Sequence, residues 1–324
     1  WQDSIPIVVI SGNVEVRTLA RSWLDDHGIP LRSYGVQEHD IVASIAPITK
    51  YACVVKNSTD IEHAMVEAFF AAAEGRKGPT WVDVPADIQH ANVTEGLYGN
   101  ISNAINRLLR RLNSNNLQHH KSVKFLDISK SLKQSNRPLI LVGGGVSNDH
   151  NEKQLVNQFV GQYNIPVVAT YAATNVVSHD YPTYLGAIGI KGNRAANFAV
   201  QNCDLLIVLG SRLPFAAIGY DVANFAKNAH ILLVDIDQNE LKKNALTFSN
   251  RISQIHTTAG AFCSAMIGTT FTVSKDWSER CNASKLAWDV ITENKRLFKY
   301  EGISIYHVME ELNKAQYDRC NFVV

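Results

Sequence analysis

PLILVGGGVSN, residues Pro138 to Asn148, sets four apolar residues, Leu139 to Val142, directly against three glycines, Gly143, Gly144 and Gly145. A short apolar run without alternation reads as a strand buried on both faces. Glycines directly after it let the backbone turn tightly and come close to a ligand. Asn148 reads as the N-cap of the next helix, with Glu152 near its first turn. Strand, glycine turn and helix start together can hold a phosphate or a nucleotide; the same residues also suit a plain tight strand-to-helix turn. The spacing is not that of the nicotinamide fingerprint. Asn148 stands where its third spaced glycine belongs, and the next apolar run, Pro166 to Thr170, is followed by Tyr171 and Ala172 rather than an acid.

Working outward, the βα rhythm repeats on both sides. Towards the C-terminus come strands at Pro166–Thr170, Leu205–Leu209 and Ile231–Asp235, with helices at Asp149–Tyr163, Arg194–Gln201, from Glu240 onward, and at Ala259–Ile267. YLGAIGIKGN, residues 184–193, reads as a glycine-rich loop, and a helix near Val123–Lys133 precedes the glycine strand. This alternation predicts an α/β fold of doubly wound parallel sheets with helices on both faces. Such sheets bind ligands at the C-terminal ends of their strands. Gly143 to Gly145, Gly210-Ser211-Arg212 and Asp235-Ile236-Asp237 would then face one crevice. There Arg212 can meet a phosphate, and Asp235 or Asp237 can accept from ribose hydroxyls; solvated surface charge is the plainer alternative for each.

The N-terminal part reads the same way. Ile5 to Ile10 is a buried strand, ended by a turn at Ser11-Gly12-Asn13; a polar helical segment near Glu15–His27 and a loop at Gly28–Gly35 follow. Gln37, Glu38, His39 and Asp40 crowd four polar side chains before an apolar run, a pattern that also suits a helix N-terminus. Ala52–Val55 and Trp81–Val84 are strands. Between them Asp60–Gly75 is a helix with apolar residues at Ile61, Ala64, Met65, Ala68, Phe69 and Ala72. Residues 90–121 read as a linker with a helical turn or two, its His119-His120 pair a solvated loop rather than a metal site. Residues 272–302 are polar, Ile303–Leu312 is a helix and Asn321–Val324 a strand. Core strands at both margins carry the expectation of a longer polypeptide.

The totals exclude several classes. Lys plus Arg is 31 and Asp plus Glu is 30, so no global field draws the chain to nucleic acid or an anionic membrane. Five dispersed cysteines without a CxxC indicate neither a zinc site nor a disulfide framework, and fit a reducing cytoplasm. No apolar run approaches the roughly 18 residues that span a bilayer.

Taken in order, the ISG turn, VQEHDIV, ITKYA, GPTWVDVPADIQ, PLILVGGGV, GIKGN, LGSRL and LVDIDQNEL resemble the thiamine-diphosphate-dependent decarboxylase and carboligase family, in its acetolactate-synthase-like branch. The resemblance runs over nearly the whole chain and is weakest at 91–121. It implies the later half of a pyrimidine-binding domain over 1–92, a linker at 93–121, and a whole nucleotide-binding-like middle domain over 122–272. A second linker at 273–302 and the opening of a diphosphate-binding domain at 303–324 complete the division. It further implies thiamine diphosphate and Mg²⁺, whose glutamate and metal ligands lie outside these residues, a 2-keto acid substrate, and a homodimer or homotetramer. Gln37 matches a glutamine near the thiazolium, Lys50 a lysine near the substrate channel, and Gly12 a turn near the active site. Gly143, Gly144, Gly145, Gly189, Arg212, Asp235 and Asp237 match positions that hold FAD in that branch. The chain departs from the branch at SRLPFAAIGY, which lacks the acidic pair after the arginine, so another nucleotide, or none, is an alternative there. If the 324 residues were the whole protein, a non-catalytic nucleotide-binding role would replace the enzymatic one.

Overall fold

The computed structural model describes residues 1–92, 95–116, 125–147, 149–269, 271, 273–289, 292 and 304–314. They fall into two compact units. The first is Trp1–Val123 with Ile236–Gln238 and His256–Ala261; the second is Lys124–Asp235, Asn239–Ile255 and Phe262–Val324.

The first unit carries a three-stranded parallel sheet. β1 (Val8–Asn13), α1 (Ala20–His27), α2 (Ile41–Ile45), β2 (Tyr51–Val54), α3 (Ile61–Ala73), β3 (Thr80–Pro85), α4 (Ala86–Gln89) and α5 (Leu97–Asn116) follow in chain order. The strand order is β1-β3-β2. β3 takes the centre because its residues are mostly buried, and Val82, Val55, Ala64 and Ala68 form the small core beneath α3. β1 lies at the edge. It begins three residues later than the apolar run suggests and continues through Ser11, Gly12 and Asn13, which pair with Asp83, Val84 and Pro85 instead of turning. Ile5, Ile7 and Ile10 are exposed, so this is not the buried strand expected from its composition. Residues 97–116 form one 20-residue helix where only a turn or two was expected, and it packs on α3. Ile101, Ile105 and Leu108 supply the stripe, and tertiary contact overrides the polar composition around them.

The second unit is built on six strands: β4 (Pro138–Val142), β5 (Val167–Ala169), β6 (Tyr184–Ala187), β7 (Leu205–Leu209), β8 (His230–Asp235) and β9 (Ile252–His256). Around them run α6 (Phe125–Gln134), α7 (Gly144–Ser147), α8 (His150–Tyr163), α9 (Arg194–Asn202), α10 (Phe215–Ile218), α11 (Gln238–Phe248), α12 (Ala259–Met266), α13 (Lys275–Ala287) and α14 (Ile305–Lys314). The order β6-β5-β4-β7-β8-β9 places the glycine strand β4 at the centre, and the β4–β5, β5–β6, β4–β7 and β7–β8 pairs are all parallel. Every residue of β4 and β7 is buried. Leu139, Leu141, Leu206 and Val208 pack in one cluster with Ala196, Ala199 and Val200 of α9, and the alternate residues Ile140, Val142, Ile207 and Leu209 are equally buried. That is the doubly wound α/β architecture the apolar run predicts.

Three elements depart from the expectation. β6 lies inside the supposed glycine loop: Gly186 adopts φ +99° there and the register with β5 shifts, so composition conceals the strand. α13 lies in residues read as linker. Its Trp277 and Cys281 are buried in the same core, and Trp277 Nε1 donates to the Pro138 carbonyl at 2.9 Å. α8 is capped by Asp149, whose Oδ1 accepts from the amides of Asn151 and Glu152. Asn148, His119, His120 and the strand expected at 321–324 lie outside the described residues. Among the described residues no helix is long and apolar enough to cross a membrane.

Candidate functional site

Two places in the chain collect the predicted residues, one in each unit. In the first, the C-terminal half of β1, Trp81 of β3, Gln89 of α4 and the loop before α2 border an open groove of about 520 Å³, lined among others by Ser11, Gly12, Gln37 and His39. This size suits a small ligand. Gly12 and Gln37, 25 residues apart in sequence, therefore share one wall. A Cβ on Gly12 would lie 2.9 Å from Nε2 of Gln89, which donates to the Val84 carbonyl at 2.7 Å. The glycine thus leaves room for the Gln89 amide. Gln37 is exposed and holds φ +63°, a left-handed conformation that costs a non-glycine residue about 1 kcal/mol or more.

The loop that strains Gln37 is fastened by its neighbours. Glu38 accepts from three amides, those of Ala20 (2.5 Å), Tyr34 (2.8 Å) and Gly35 (3.2 Å). Asp40 caps α2 through the amide of Ala43 at 3.0 Å, as the acidic cluster suggested. His39 Nε2 lies 3.0 Å from Ser44 Oγ. Beneath the cavity, Asp83 accepts from Ser11 Oγ (2.5 Å) and Asn13 Nδ2 (2.7 Å), and Trp81 Nε1 donates to Ser11 Oγ (2.8 Å). Sequence reasoning passed over Ser11, Asn13, Asp83 and Gln89; the period-two spacing 11/13 and 81/83 on paired strands is the signal that would have found the first three.

Lys50 is not brought to this cavity. It precedes β2, whose Tyr51 pairs with Thr80, whereas Gly12 pairs with Val84. Four residues of strand, about 13 Å, separate the two levels. Lys50 Nζ donates to the Glu74 carbonyl at 2.5 Å, at the end of α3, and its stem packs over Gly78. Burial pushes its pKa down from the usual lysine value.

In the second unit, β4 and β7 are neighbours, and the chain runs from β4 out through β5 and β6 on one side and returns to β7 on the other, which makes the C-terminal ends of β4 and β7 the switch point of the sheet. Gly143 to Gly145 and Gly210 to Arg212 meet there. A Cβ on Gly143 would collide with the Gly210 carbonyl and Ser211 Cβ. The amide of Gly143 donates to Leu209 and that of Gly145 to Gly210, at 2.8 and 3.0 Å. Two of the three glycine amides are thus used inside the chain, and the glycines serve first to let two loops touch. Gly189, at φ +97°, is similar. A Cβ would strike the Ala216 carbonyl, and its amide donates to Asn197 Oδ1 at 2.9 Å. Arg212 presents an exposed side chain while its carbonyl accepts from Lys243. Asp235 ends β8 in this unit. Asp237 falls with the first unit, where its Oδ2 lies 3.3 Å from Arg76 Nη1. Around the strand ends Tyr171 (79%), Ile190 (77%), Phe215 (56%) and Tyr220 (85%) are largely exposed, and Phe215 stacks on Tyr220 at 5.3 Å.

Among the described residues no group of three His, Cys, Asp or Glu side chains could hold a metal ion. Cys53, Cys203, Cys263 and Cys281 are free thiols. Burial raises the pKa of Cys203 and of Cys281 to about 12, so neither is a nucleophile near neutrality.

Residues 127–261 match the family described as thiamine pyrophosphate enzyme, central domain. The acetolactate synthase large subunit of Pyropia yezoensis is 34% identical over 248 residues, which are 75% of this chain and 38% of that protein. Isozyme 2 of the Escherichia coli large subunit is 32% identical over 242 residues, covering 74% and 39%. The large subunit of Cyanidium caldarium is 30% identical over 311 residues, covering 93% and 50%. The chain therefore spans about two fifths to one half of the length of these relatives.

Proposed function

This chain belongs, by its residues 127–261, to the thiamine pyrophosphate enzymes, and from that premise we propose that it takes part in the decarboxylation of a 2-keto acid, with carboligation of the product to a second carbonyl. The observation that carries this reading is the shared wall of Gly12 and Gln37 in the first-unit cavity. Amides, a hydroxyl and apolar side chains converge there on a space of small-molecule size, which fits one end of a heterocycle and a short keto acid. Thiamine diphosphate would supply the electron sink for loss of CO₂. The chain's own residues would bind, orient and exclude water. Gln37, held rigidly out of the loop, would donate an amide hydrogen to a substrate oxygen. Val14, Val36, Ile41 and Trp81 would keep the face apolar. The Mg²⁺ that such a diphosphate requires would take its ligands from outside the described residues.

For the second unit we propose a nucleotide at the switch point, FAD or another, with Arg212 opposite its phosphates and Asp235 at a ribose. The exposed Tyr171, Ile190 and Phe215 favour a planar ligand over an empty crevice. The occupied amides of Gly143 and Gly145 favour Arg212 over the glycine turn as the phosphate partner. We propose homo-oligomeric assembly and a cytoplasmic location on the same basis.

The test is turnover of pyruvate by the purified protein with added thiamine diphosphate and Mg²⁺, followed as CO₂ release. Gln37→Ala should lower turnover at least tenfold without changing the thermal midpoint. Unchanged turnover would remove Gln37 from the site, and absence of turnover with any short 2-keto acid would leave the nucleotide-binding role.

A further inference from the structure

Asp83 is fully buried (0% exposed) on the central strand β3, and it is a carboxylate that the proposed chemistry does not use. We propose that Asp83 is the positioning residue of the Gly12–Gln37 cavity: it fixes Ser11 and Asn13 on the neighbouring strand and, through Asn13, holds the loop that presents Gln37.

The hydrogen bonds lead outward from Asp83 in two branches. On one oxygen it accepts the Ser11 hydroxyl at 2.5 Å, and Ser11 in turn accepts the Trp81 indole N–H at 2.8 Å. The orientation of Ser11 is therefore set, because its lone pair faces the indole and its proton faces the carboxylate. On the other oxygen Asp83 accepts from Asn13 Nδ2 at 2.7 Å. The second hydrogen of that same amide reaches the His39 carbonyl at 3.0 Å, and Asn13 Oδ1 accepts from the Val14 amide at 2.9 Å. Ser11, Asn13, His39 and Trp81 all line the cavity. His39 lies two residues from Gln37, so the link from β3 to the strained loop passes through one side chain.

A carboxylate is the group this arrangement requires. Both of its oxygens face donors, and charge-assisted bonds hold their partners more firmly than neutral ones. Asparagine has the same shape and can keep the Asn13 bond by turning its NH2 on Ser11, whose hydroxyl then accepts and must turn its own proton away, so only a side chain without oxygen opens both branches. Had Asp83 served only to fill the core, its partners would be backbone groups of its own sheet rather than the side chains of the cavity wall.

This inference rests on reading the cavity as the substrate end of the site, but its test does not. Amide hydrogen exchange is followed on the full chain for the wild type, Asp83→Ala, Asn13→Ala and the double variant. In both single variants the amides of Tyr34, Gly35, Glu38 and Ile41 should exchange at least tenfold faster, with β4 and β7 unchanged. The double variant should be no faster than Asp83→Ala, because both changes open one link. In the turnover assay the same variants should raise KM for the keto acid more than they lower kcat. Unchanged exchange in the loop, or an increase spread evenly over the first unit, would overturn the proposal. A wild type inactive on every keto acid would sink the catalytic reading while the exchange data still decide the role of Asp83.

Discussion

At the scale of single residues, Gly143 is needed less for a phosphate than for the approach of Gly210, so Gly143→Ala should destabilise the second unit even with no ligand present. The cost expected is that of overpacking against rigid backbone, about 1–3 kcal/mol or more, read as a lower urea midpoint at constant slope. An unchanged midpoint would return the glycine to a ligand-binding role alone. The buried thiols set an alkaline limit. Cys203 and Cys281 have their folded pKa raised to about 12 by burial, against 9.0 as the ordinary value. Both groups favour the neutral thiol in the fold. Their contribution to stability is complete below pH 9 and is lost as the pH rises towards 12, because the unfolded chain ionises first. The guanidinium midpoint should therefore fall between about pH 9 and 11, and Cys203→Ala with Cys281→Ala should flatten that part of the fall. An identical slope in the variant would assign the loss to other groups.

At the scale of elements, α13 shows how a single stripe can bind a helix to a core. Only Trp277, Cys281 and Ser284 of its 13 residues are buried, at spacings of four and three. The rest is polar, which is why the segment read as a linker. Trp277 fills the core beside β4 and its indole N–H satisfies the Pro138 carbonyl. Trp277→Ala should cost about 3–5 kcal/mol and Trp277→Phe about 1 kcal/mol for the hydrogen bond, measured by urea unfolding of the second unit. Equal losses in both would mean the bond, not the volume, holds the helix. β6 makes the complementary point. It is short, interrupted by Gly186 and placed at the sheet edge, so no periodicity announces it, and pairing with β5 creates it.

At the scale of the whole molecule, the chain combines a three-stranded parallel sheet and a six-stranded sheet; Gly12, Gly143 to Gly145, Arg212 and Asp235 lie at or just beyond the C-terminal ends of strands, and Lys50 does not. For the six-stranded unit the prediction is spectroscopic. If the ligand at the switch point is a flavin, the purified protein shows the yellow flavin absorbance and Arg212→Ala releases the chromophore. A colourless protein that binds ADP by calorimetry points to another nucleotide. A protein that binds neither leaves the crevice to the packing of its two loops.

The sequence by itself determined the strands β4 and β7 and the α/β class, because a strand buried on both faces must be apolar throughout and glycine must stand where two backbones touch. It also named Gly12 and Gln37, though only through the resemblance, with no sign that they share a wall. Tertiary structure decided the rest. Lys50 went to the opposite end of its sheet because a parallel register fixes which strand ends are neighbours. Asp235 and Asp237, two residues apart, fell into different units. Ser11, Asn13 and Asp83 became one network only when β1 lay beside β3, since hydrogen bonds between side chains about 70 residues apart have no local signature.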